Sequence, residues 1–195
     1  MAIGPAVMGG DTRPMLDVPA HLRDIATDLQ HRLRRIEATP HPNLAQHQIQ
    51  LDGEALRFPC RLYADGTRLM RLASLLQGDA RLLCLCLATR HPDGHLRQHA
   101  LETLGAASAP WVLAFHLALL GEYVEEIAVA VEQQAQQIGL AAYLPLVRAN
   151  PAFVDRCIQR AASYWNAYYR SRHSTLRTFP AHRLLLQLRS ASRRS

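Results

Sequence analysis

Apolar residues recur at helical spacing in the first structured part of the chain. Between residues 18 and 38 they fall three or four positions apart, at Leu22, Ile25, Leu29, Leu33 and Ile36. This period places them on one face of a helix. Asp17 is a suitable N-cap, and Pro40 and Pro42 close the segment. The pattern therefore predicts an amphipathic helix from Val18 to Ala38.

The pattern changes to alternation in the next segment, QIQLDGEALRFPCRLY. Apolar residues alternate with polar ones on both sides of Asp52 and Gly53, at Ile49, Leu51, Leu56, Phe58 and Leu62. Because glycine adopts a positive φ at little cost, such a dipeptide suits a tight hairpin turn. Pro59 restricts the second strand to a sheet edge or ends it. The segment predicts a small β-hairpin.

Beyond Gly66 the pattern is helical to the end of the chain. Turn residues divide it into segments of about 10 to 20 residues, a usual length for packed helices. The first apolar positions after three of these breaks, Leu96, Val124 and Val154, are 28 and 30 residues apart, and a shorter apolar segment precedes each of them. Recurring helix pairs of this length are typical of stacked repeats. The alternative is a non-repetitive helical bundle with evenly spaced breaks.

The sequence thus predicts a mainly α protein, a short α-solenoid of stacked antiparallel helix pairs with a small N-terminal β-hairpin. We expect a flexible arm over residues 1–17 and a cap of helix and hairpin over 18–65. The repeat region is expected over 66–190, and a disordered basic tail over 191–195. Within the repeat region, the segment FPAHRLLLQL is expected to cap the far end.

The segment LATRHPDGHLRQHAL, followed by WVLAFHLALLGEYVEEI, resembles the HEAT-like helical repeat family. In that family a turn acid and an inner-helix arginine recur from repeat to repeat. Asp93 and Arg97 match these positions in the first repeat, whereas in the second Glu122 stands for the acid and Glu125 replaces the arginine. The chain is similar to a degenerate bacterial member, over about residues 66 to 172. The resemblance implies a protein-binding scaffold, although a minority of the superfamily bind DNA or modify its bases.

Composition and charge change this picture little. Apolar residues make up 49% and charged residues 19% of the chain, which is an ordinary globular composition. The 22 basic residues are all arginine, the formal charge is +6, and arginine is concentrated after residue 155. Such a charge permits attraction to nucleic acid or to an acidic protein. Without a secretory signal pattern or a long apolar run, we expect a cytoplasmic protein with no membrane partner.

The local sequence predicts no metal site, no cofactor and no catalytic residues. His95 and His99 share a helix face, but the nearby sequence supplies no clear third ligand. The four cysteines contain no C-x-x-C pair and are expected to be reduced and buried. Glu122 and Glu126 are four residues apart, yet acids in a first helical turn already complement the helix dipole. We therefore expect a protein that is not an enzyme.

The segment SYWNAYYRSRH is the predicted partner-binding surface, because aromatic residues and arginine are enriched at interface hot spots. Its predicted contact residues are Tyr164, Trp165, Tyr168, Tyr169, Arg170 and Arg172. The predicted function is a non-catalytic scaffold or adaptor that binds another protein, such as an immunity or accessory protein. One alternative is a nucleic-acid-binding repeat protein that uses the arginine-rich C-terminal helices. The other is an enzyme with a dispersed active site.

Overall fold

The computed structural model describes residues 15–40 and 46–194, and it is mainly helical, as predicted. The α-helices of this part of the chain are α1 (Arg23–Arg35), α2 (Gly66–Leu75), α3 (Gly78–Ala88), α4 (Gly94–Leu104), α5 (Pro110–Leu120), α6 (Glu125–Ile138), α7 (Leu144–Ala149), α8 (Pro151–Tyr164) and α9 (Pro180–Arg194). Its strands are β1 (Thr39–Pro40), β2 (Gln46–Leu51), β3 (Glu54–Pro59) and β4 (Leu62–Tyr63).

The predicted hairpin is present. β2 and β3 are antiparallel, and Leu51 lies opposite Glu54. The two turn residues, Asp52 and Gly53, have φ values of 48° and 86°, the combination that a two-residue hairpin turn requires. β3 ends at Pro59, which has no backbone N–H to continue the ladder. β1 and β4 form a second, separate antiparallel pair.

The N-terminal helix begins differently from the prediction. A short 3-10 turn, Ala20–Leu22, precedes α1, and Asp17 does not cap it. Instead, the backbone of Asp17 pairs with that of Arg57 through two hydrogen bonds of 3.0 and 2.8 Å. This bridge holds Leu16, which is buried, so the arm predicted for residues 1–17 is anchored at its end. The rest of that arm, residues 1–14, and Pro42 lie outside the described residues.

Helix α5 forms the centre of the core. Every residue from Trp111 to Leu120 is buried, and α3, α6, α7, α8, α9 and β2 all pack against the helix. Phe58 of the hairpin stacks on Phe115 with ring centroids 3.9 Å apart. A helix that is apolar on every face requires cover on every side. Even so, no helix in the described part of the chain is long and apolar enough to cross a membrane.

The predicted helix pairs α3/α4, α5/α6 and α7/α8 follow one another along the chain, and α3 packs on α5 as α4 packs on α6. Their stacking as a regular solenoid is not confirmed. In a solenoid a terminal helix contacts only the neighbouring repeat. α9, which we expected to cap the end, packs against α5, α6, α7 and α8. The α5 helix is consequently enclosed rather than part of an open layer.

The expected disordered tail is wrong for residues 191–194, because α9 continues to Arg194. Ser192 is buried, and its Oγ donates a hydrogen bond of 2.9 Å to the carbonyl of Arg189. Helix α9 and its buried face therefore continue beyond residue 190, where the predicted repeat region ends. Residue 195 lies outside the described residues.

Candidate functional site

A buried carboxylate, Glu122, lies among three arginines. Glu122 is 3% exposed and occupies the turn between α5 and α6. Arg61 donates two hydrogen bonds to its oxygens, at 2.8 and 3.0 Å. Arg90 donates to Oε1 from Nη2, and Arg97 Nε lies 3.3 Å from Oε2. We call these four residues the arginine–glutamate cluster.

Backbone carbonyl groups hold the two most buried arginines in place. Arg90 follows α3 and donates from Nη2 to the carbonyl of Cys60 at 2.8 Å. Arg97 lies in α4 and donates from Nη1 to the carbonyls of His91 and Pro92, at 2.9 and 2.8 Å. Backbone carbonyl groups in turns lie outside the regular hydrogen bonding of helices and strands, so they need donors from elsewhere. The arginines therefore join the turns after β3, α3 and α5 at one point.

The cluster carries an excess of positive charge. Burial alone would raise the pKa of Glu122, but the charges of Arg90, Arg61 and Arg97 outweigh it and hold the pKa below its ordinary value. The carboxylate thus compensates one of the three guanidinium charges. Arg90 is 1% exposed, and its Nε and Nη1 have no hydrogen-bond partner among the described residues. One carboxylate shared by three guanidinium groups leaves positive charge that a further anion nearby would compensate.

The cluster borders a cavity of about 400 Å³ between the hairpin, the end of α5 and α8. We call this cavity the arginine pocket. Its lining includes four arginines, one glutamate and one histidine: Arg61, Arg90, Arg156, Arg160, Glu122 and His47. Its apolar lining includes Ala118, Phe153 and Cys157. The residues that α8 contributes, at positions 153, 156, 157 and 160, share one face because they follow helical spacing.

A close contact between the turn after α5 and α8 shapes the pocket. A Cβ atom at Gly121 would lie 3.2 Å from Cys157 Sγ, tighter than ordinary contact. The carbonyl of Gly121 accepts a hydrogen bond of 2.8 Å from Arg160 Nε. Glycine therefore lets the turn that carries Glu122 approach the pocket face of α8.

The other titratable groups of the pocket are neutral near pH 7. Burial, with the charge of Arg90 as a second cause, lowers the pKa of His47 to about 3. Burial raises the pKa of the Cys60 thiol, and it raises that of Cys157 to about 12. Protonated thiols are poor nucleophiles. All four cysteines of the chain are unpaired, and three of them are buried.

The local pattern places Arg97 in an inner helix and Glu122 in a turn of the predicted repeats, but it does not reveal their meeting with Arg61 and Arg90. Residues 61 and 122, like 90 and 122, are far apart in sequence, so no local spacing reveals the contact. One signal was present. Arg90 directly follows the apolar run LLCLCLAT, where an arginine has to be buried or to end the helix.

Part of the predicted partner-binding segment lies on the surface. Tyr168 is 65% exposed, and its ring stacks on Tyr164 with centroids 6.4 Å apart. Tyr123, 45% exposed, lies 6.1 Å from Tyr164 on the other side. We call these three residues the tyrosine surface. Arg160 connects it to the arginine pocket, because its Nη2 donates to the Tyr164 hydroxyl at 3.2 Å.

Trp165 and Tyr169, two other predicted contact residues, pack inward. Both lie in a single π-helical turn, Trp165–Tyr169, that follows α8. Trp165 Nε1 donates to the carbonyl of His173 at 3.0 Å. The Tyr169 ring stacks on Phe179, and its hydroxyl donates to the carbonyl of Tyr123. These contacts hold the segment after α8 against the core.

The two predicted arginines are exposed but contact neighbours of their own. The Arg170 guanidinium lies 5.6 Å from the centre of the Trp165 ring. Arg172 donates to Glu125 at 3.2 Å, and His173 lies 2.6 Å from the same carboxylate. Of the six predicted contact residues, Tyr168, Arg170 and Arg172 are exposed, and Tyr164, Trp165 and Tyr169 are half-buried.

The histidine-rich turn before α4 has a structural role. Asp93 caps α4 by accepting a hydrogen bond of 2.8 Å from the backbone N–H of His95. His91 is buried and contacts the carbonyl of Ala64 at 3.0 Å, while His95 and His99 are exposed. Across residues 15–40 and 46–194, no group of three or more His, Cys, Asp or Glu side chains could hold a metal ion.

The two acids considered as an acid–base pair have separate environments. Glu122 is buried in the arginine–glutamate cluster, whereas Glu126 is exposed and lines a different surface hollow beside Glu102 and Glu125.

Searches of protein-family models, curated proteins and solved structures found no match to the chain. The functional argument consequently depends on the geometry of the site.

Proposed function

We propose that the protein is a non-catalytic binding protein that holds a small acidic ligand in the arginine pocket. The observation that carries this proposal is the state of Arg90. Its guanidinium is 1% exposed and lines the pocket, and it shares its acidic partner, Glu122, with Arg61 and Arg97. A guanidinium presents donors in a planar fork that matches a carboxylate or a phosphate.

The charge and size of the pocket support the same ligand class. Arg61, Arg90, Arg156 and Arg160 line it, against the single carboxylate of Glu122. The cavity of about 400 Å³ lies within the range of small-molecule sites, about 300 to 1,000 Å³. Positive charge of this density attracts an anion and repels a cation. A small acid therefore fits both the volume and the charge.

The protonation states of the pocket residues near pH 7 also support a non-catalytic role. Three arginines hold Glu122 as a carboxylate, and a histidine with a pKa near 3, such as His47, is a weak base at neutral pH. The thiols of Cys60 and Cys157 are protonated. General acid–base chemistry requires a group whose pKa lies near the working pH. We accordingly propose binding rather than turnover.

Isothermal titration calorimetry with phenyl phosphate tests this proposal. We expect saturable binding by the unchanged protein and at least a tenfold loss of affinity in the double variant Arg156→Gln/Arg160→Gln. Both residues are exposed on α8, so the fold should tolerate the change. The matched control is Arg71→Gln on α2, away from the pocket. Absence of binding, or equal binding by the double variant and the control, would overturn the proposal.

The second candidate is the protein-binding scaffold, an immunity or accessory protein of HEAT-like type, with the tyrosine surface as its contact. Tyr123 and Tyr168 are exposed on either side of Tyr164, and tyrosine is enriched at interface hot spots. The contact between Arg97 and Glu122 joins the inner helix of one predicted repeat, α4, to the turn of the next. It supports stacked helix pairs as part of this proposal.

Arginine pairing favours a protein partner over nucleic acid. Arg183 donates to Glu132 at 2.9 and 2.6 Å, and Arg189 donates to Asp155 at 2.7 Å. An arginine that already has an acidic partner contributes less to phosphate binding, which depends on neutralising phosphates one by one. The basic C-terminal helices therefore present fewer available charges than their sequence indicates.

Affinity capture from a nuclease-treated lysate tests the scaffold. We expect the unchanged protein and the control Leu75→Ala to capture the same polypeptide, and the double variant Tyr123→Ala/Tyr168→Ala to lose it. Leu75 is a fair control because it is 73% exposed on α2. Recovery of nucleic acid alone, or capture that is unchanged in the tyrosine variant, would contradict this candidate.

A further inference from the structure

The arginine pocket has two kinds of wall. The arginine–glutamate cluster forms a charged end, with Arg61 and Arg90 beside Glu122. Apolar side chains from α5 and α8, Ala118 and Phe153, line another part. A site built for a bare inorganic anion needs the first wall and not the second. The combination indicates a ligand with two chemically distinct parts.

Aromatic rings give the apolar wall a defined shape. His47 and Phe153 meet edge to face, with ring centroids 5.6 Å apart. The guanidinium of Arg156 lies 5.9 Å from the centre of the same Phe153 ring. His47 carries no charge at neutral pH because burial lowers its pKa to about 3. This wall therefore contains two flat, uncharged rings beside one guanidinium group, and a planar ring packs well against such side chains.

We propose that the ligand is an amphipathic acid whose anionic group binds Arg61 and Arg90 and whose flat apolar body packs on Phe153 and Ala118. This inference depends on the proposed function, since it specifies the ligand of the same pocket. The anionic group lies beside the positive charges of Arg61 and Arg90, which both line the pocket. The apolar body of the ligand is itself removed from water where it packs against Phe153 and Ala118.

Volume and solvation both favour such a ligand over a bare anion. An inorganic phosphate would fill only a fraction of the cavity of about 400 Å³ and would bring no apolar surface against Ala118 and Phe153. Burial of apolar surface is favourable in proportion to the area removed from water, about 25 cal/mol per Å². A benzene ring attached to the anionic group should therefore strengthen binding by at least tenfold, or about 1.4 kcal/mol.

A series of matched probes on the unchanged protein tests this inference. Calorimetry compares phenyl phosphate, inorganic phosphate and phenol at one pH and one ionic strength. We expect phenyl phosphate to bind at least tenfold more tightly than inorganic phosphate, and phenol to bind most weakly. Equal affinity for phenyl phosphate and inorganic phosphate would overturn the amphipathic ligand while leaving the acidic-ligand proposal standing. Equal affinity for phenol and phenyl phosphate, or no binding of any probe, would overturn both.

A variant of the apolar wall gives a second readout. Ala118→Leu adds volume to the lining from α5, so we expect it to lower the affinity for phenyl phosphate about tenfold and to leave that for inorganic phosphate unchanged. The matched control is Ala152→Leu, an exposed position of α8 outside the pocket lining. If circular dichroism shows that Ala118→Leu is unfolded, Phe153→Leu replaces it with the same expectation. Equal loss for both probes would contradict the assignment of this wall.

Discussion

The side chain of Asn150 pairs with the backbone of Gln50 as a neighbouring strand would. Its Oδ1 accepts a hydrogen bond of 2.7 Å from the Gln50 N–H, and its Nδ2 donates one of 2.8 Å to the Gln50 carbonyl. Nδ2 also donates to the carbonyl of Leu146 at 2.9 Å. Asn150 lies between α7 and α8, so it fastens β2 to the helical part. The same strand carries His47 of the arginine pocket.

We expect Asn150→Ala to destabilise the protein by about 1 to 3 kcal/mol, because three hydrogen bonds of a buried side chain are lost together. Urea unfolding followed by circular dichroism measures the change. The control is Asn166→Ala, an exposed asparagine whose side chain accepts a hydrogen bond from its helical neighbour Arg170. A loss no greater than that of the control would show that the hairpin is held by its apolar contacts alone.

Glu122→Gln should be among the most destabilising single changes. It removes the only carboxylate that compensates Arg61, Arg90 and Arg97 in the cluster. Removing one partner of a buried ion pair costs about 3 to 5 kcal/mol, because a charge remains buried without compensation. Urea unfolding of Glu122→Gln beside the exposed control Glu126→Gln measures this cost. We also expect added phosphate to restore part of the stability, and a variant as stable as its control would refute the account of the cluster.

The predicted contact residues should separate into two groups by their effect on stability. Trp165 packs against the core and bonds to His173, so Trp165→Ala should cost about 2 to 4 kcal/mol. Tyr168 is 65% exposed, so Tyr168→Ala should change stability by less than about 0.5 kcal/mol. Urea unfolding of both variants makes the comparison. Equal losses would show that Tyr168 is structural as well and would weaken the tyrosine surface as a binding site.

Local pattern was sufficient for the hairpin and for the helix pairs of this fold. The turn at Asp52 and Gly53 and the end of β3 at Pro59 are determined by backbone preferences of single residues, which the sequence displays directly. The helix pairs followed from apolar spacing in the same way. The apolar spacing did not determine how the helices pack against one another. The apolar segment of α5 is compatible both with a layer of a repeat and with an enclosed central helix, and only the position of α9 distinguishes them.

The site was less accessible from sequence than the fold. Arg61, Arg90 and Arg160 come from three separate parts of the chain, and only the folded structure brings them to one pocket. The aromatic segment after α8 showed the opposite difficulty. Its composition favoured an interface, but the π-helical turn directs Trp165 and Tyr169 towards the core and leaves Tyr168 exposed. Composition identifies the residue types that are enriched at interfaces, and backbone geometry decides which of these residues are exposed to a partner.

Acid should destabilise the protein through the buried histidine of α5. His116 is fully buried and shares a hydrogen bond of 2.8 Å with the Tyr143 hydroxyl, and burial lowers its pKa from 6.5 to about 4. Between these values the unfolded chain binds a proton that the folded chain does not. Stability attributable to His116 is therefore complete above about pH 6.5 and falls as the pH falls towards 4, by up to about 1.4 kcal/mol per pH unit.

The variant His116→Phe isolates this contribution. It lacks the titrating group, so its free energy of unfolding should fall less between pH 6 and pH 5 than that of the unchanged protein, by about 1 kcal/mol. Its stability at pH 7 should be lower, because the Tyr143 hydroxyl loses its partner. His99→Gln, at an exposed position of α4, should retain the full dependence on pH. Urea unfolding at the three pH values provides the measurement, and an unchanged slope in His116→Phe would assign the acid sensitivity to other groups, His47 first among them.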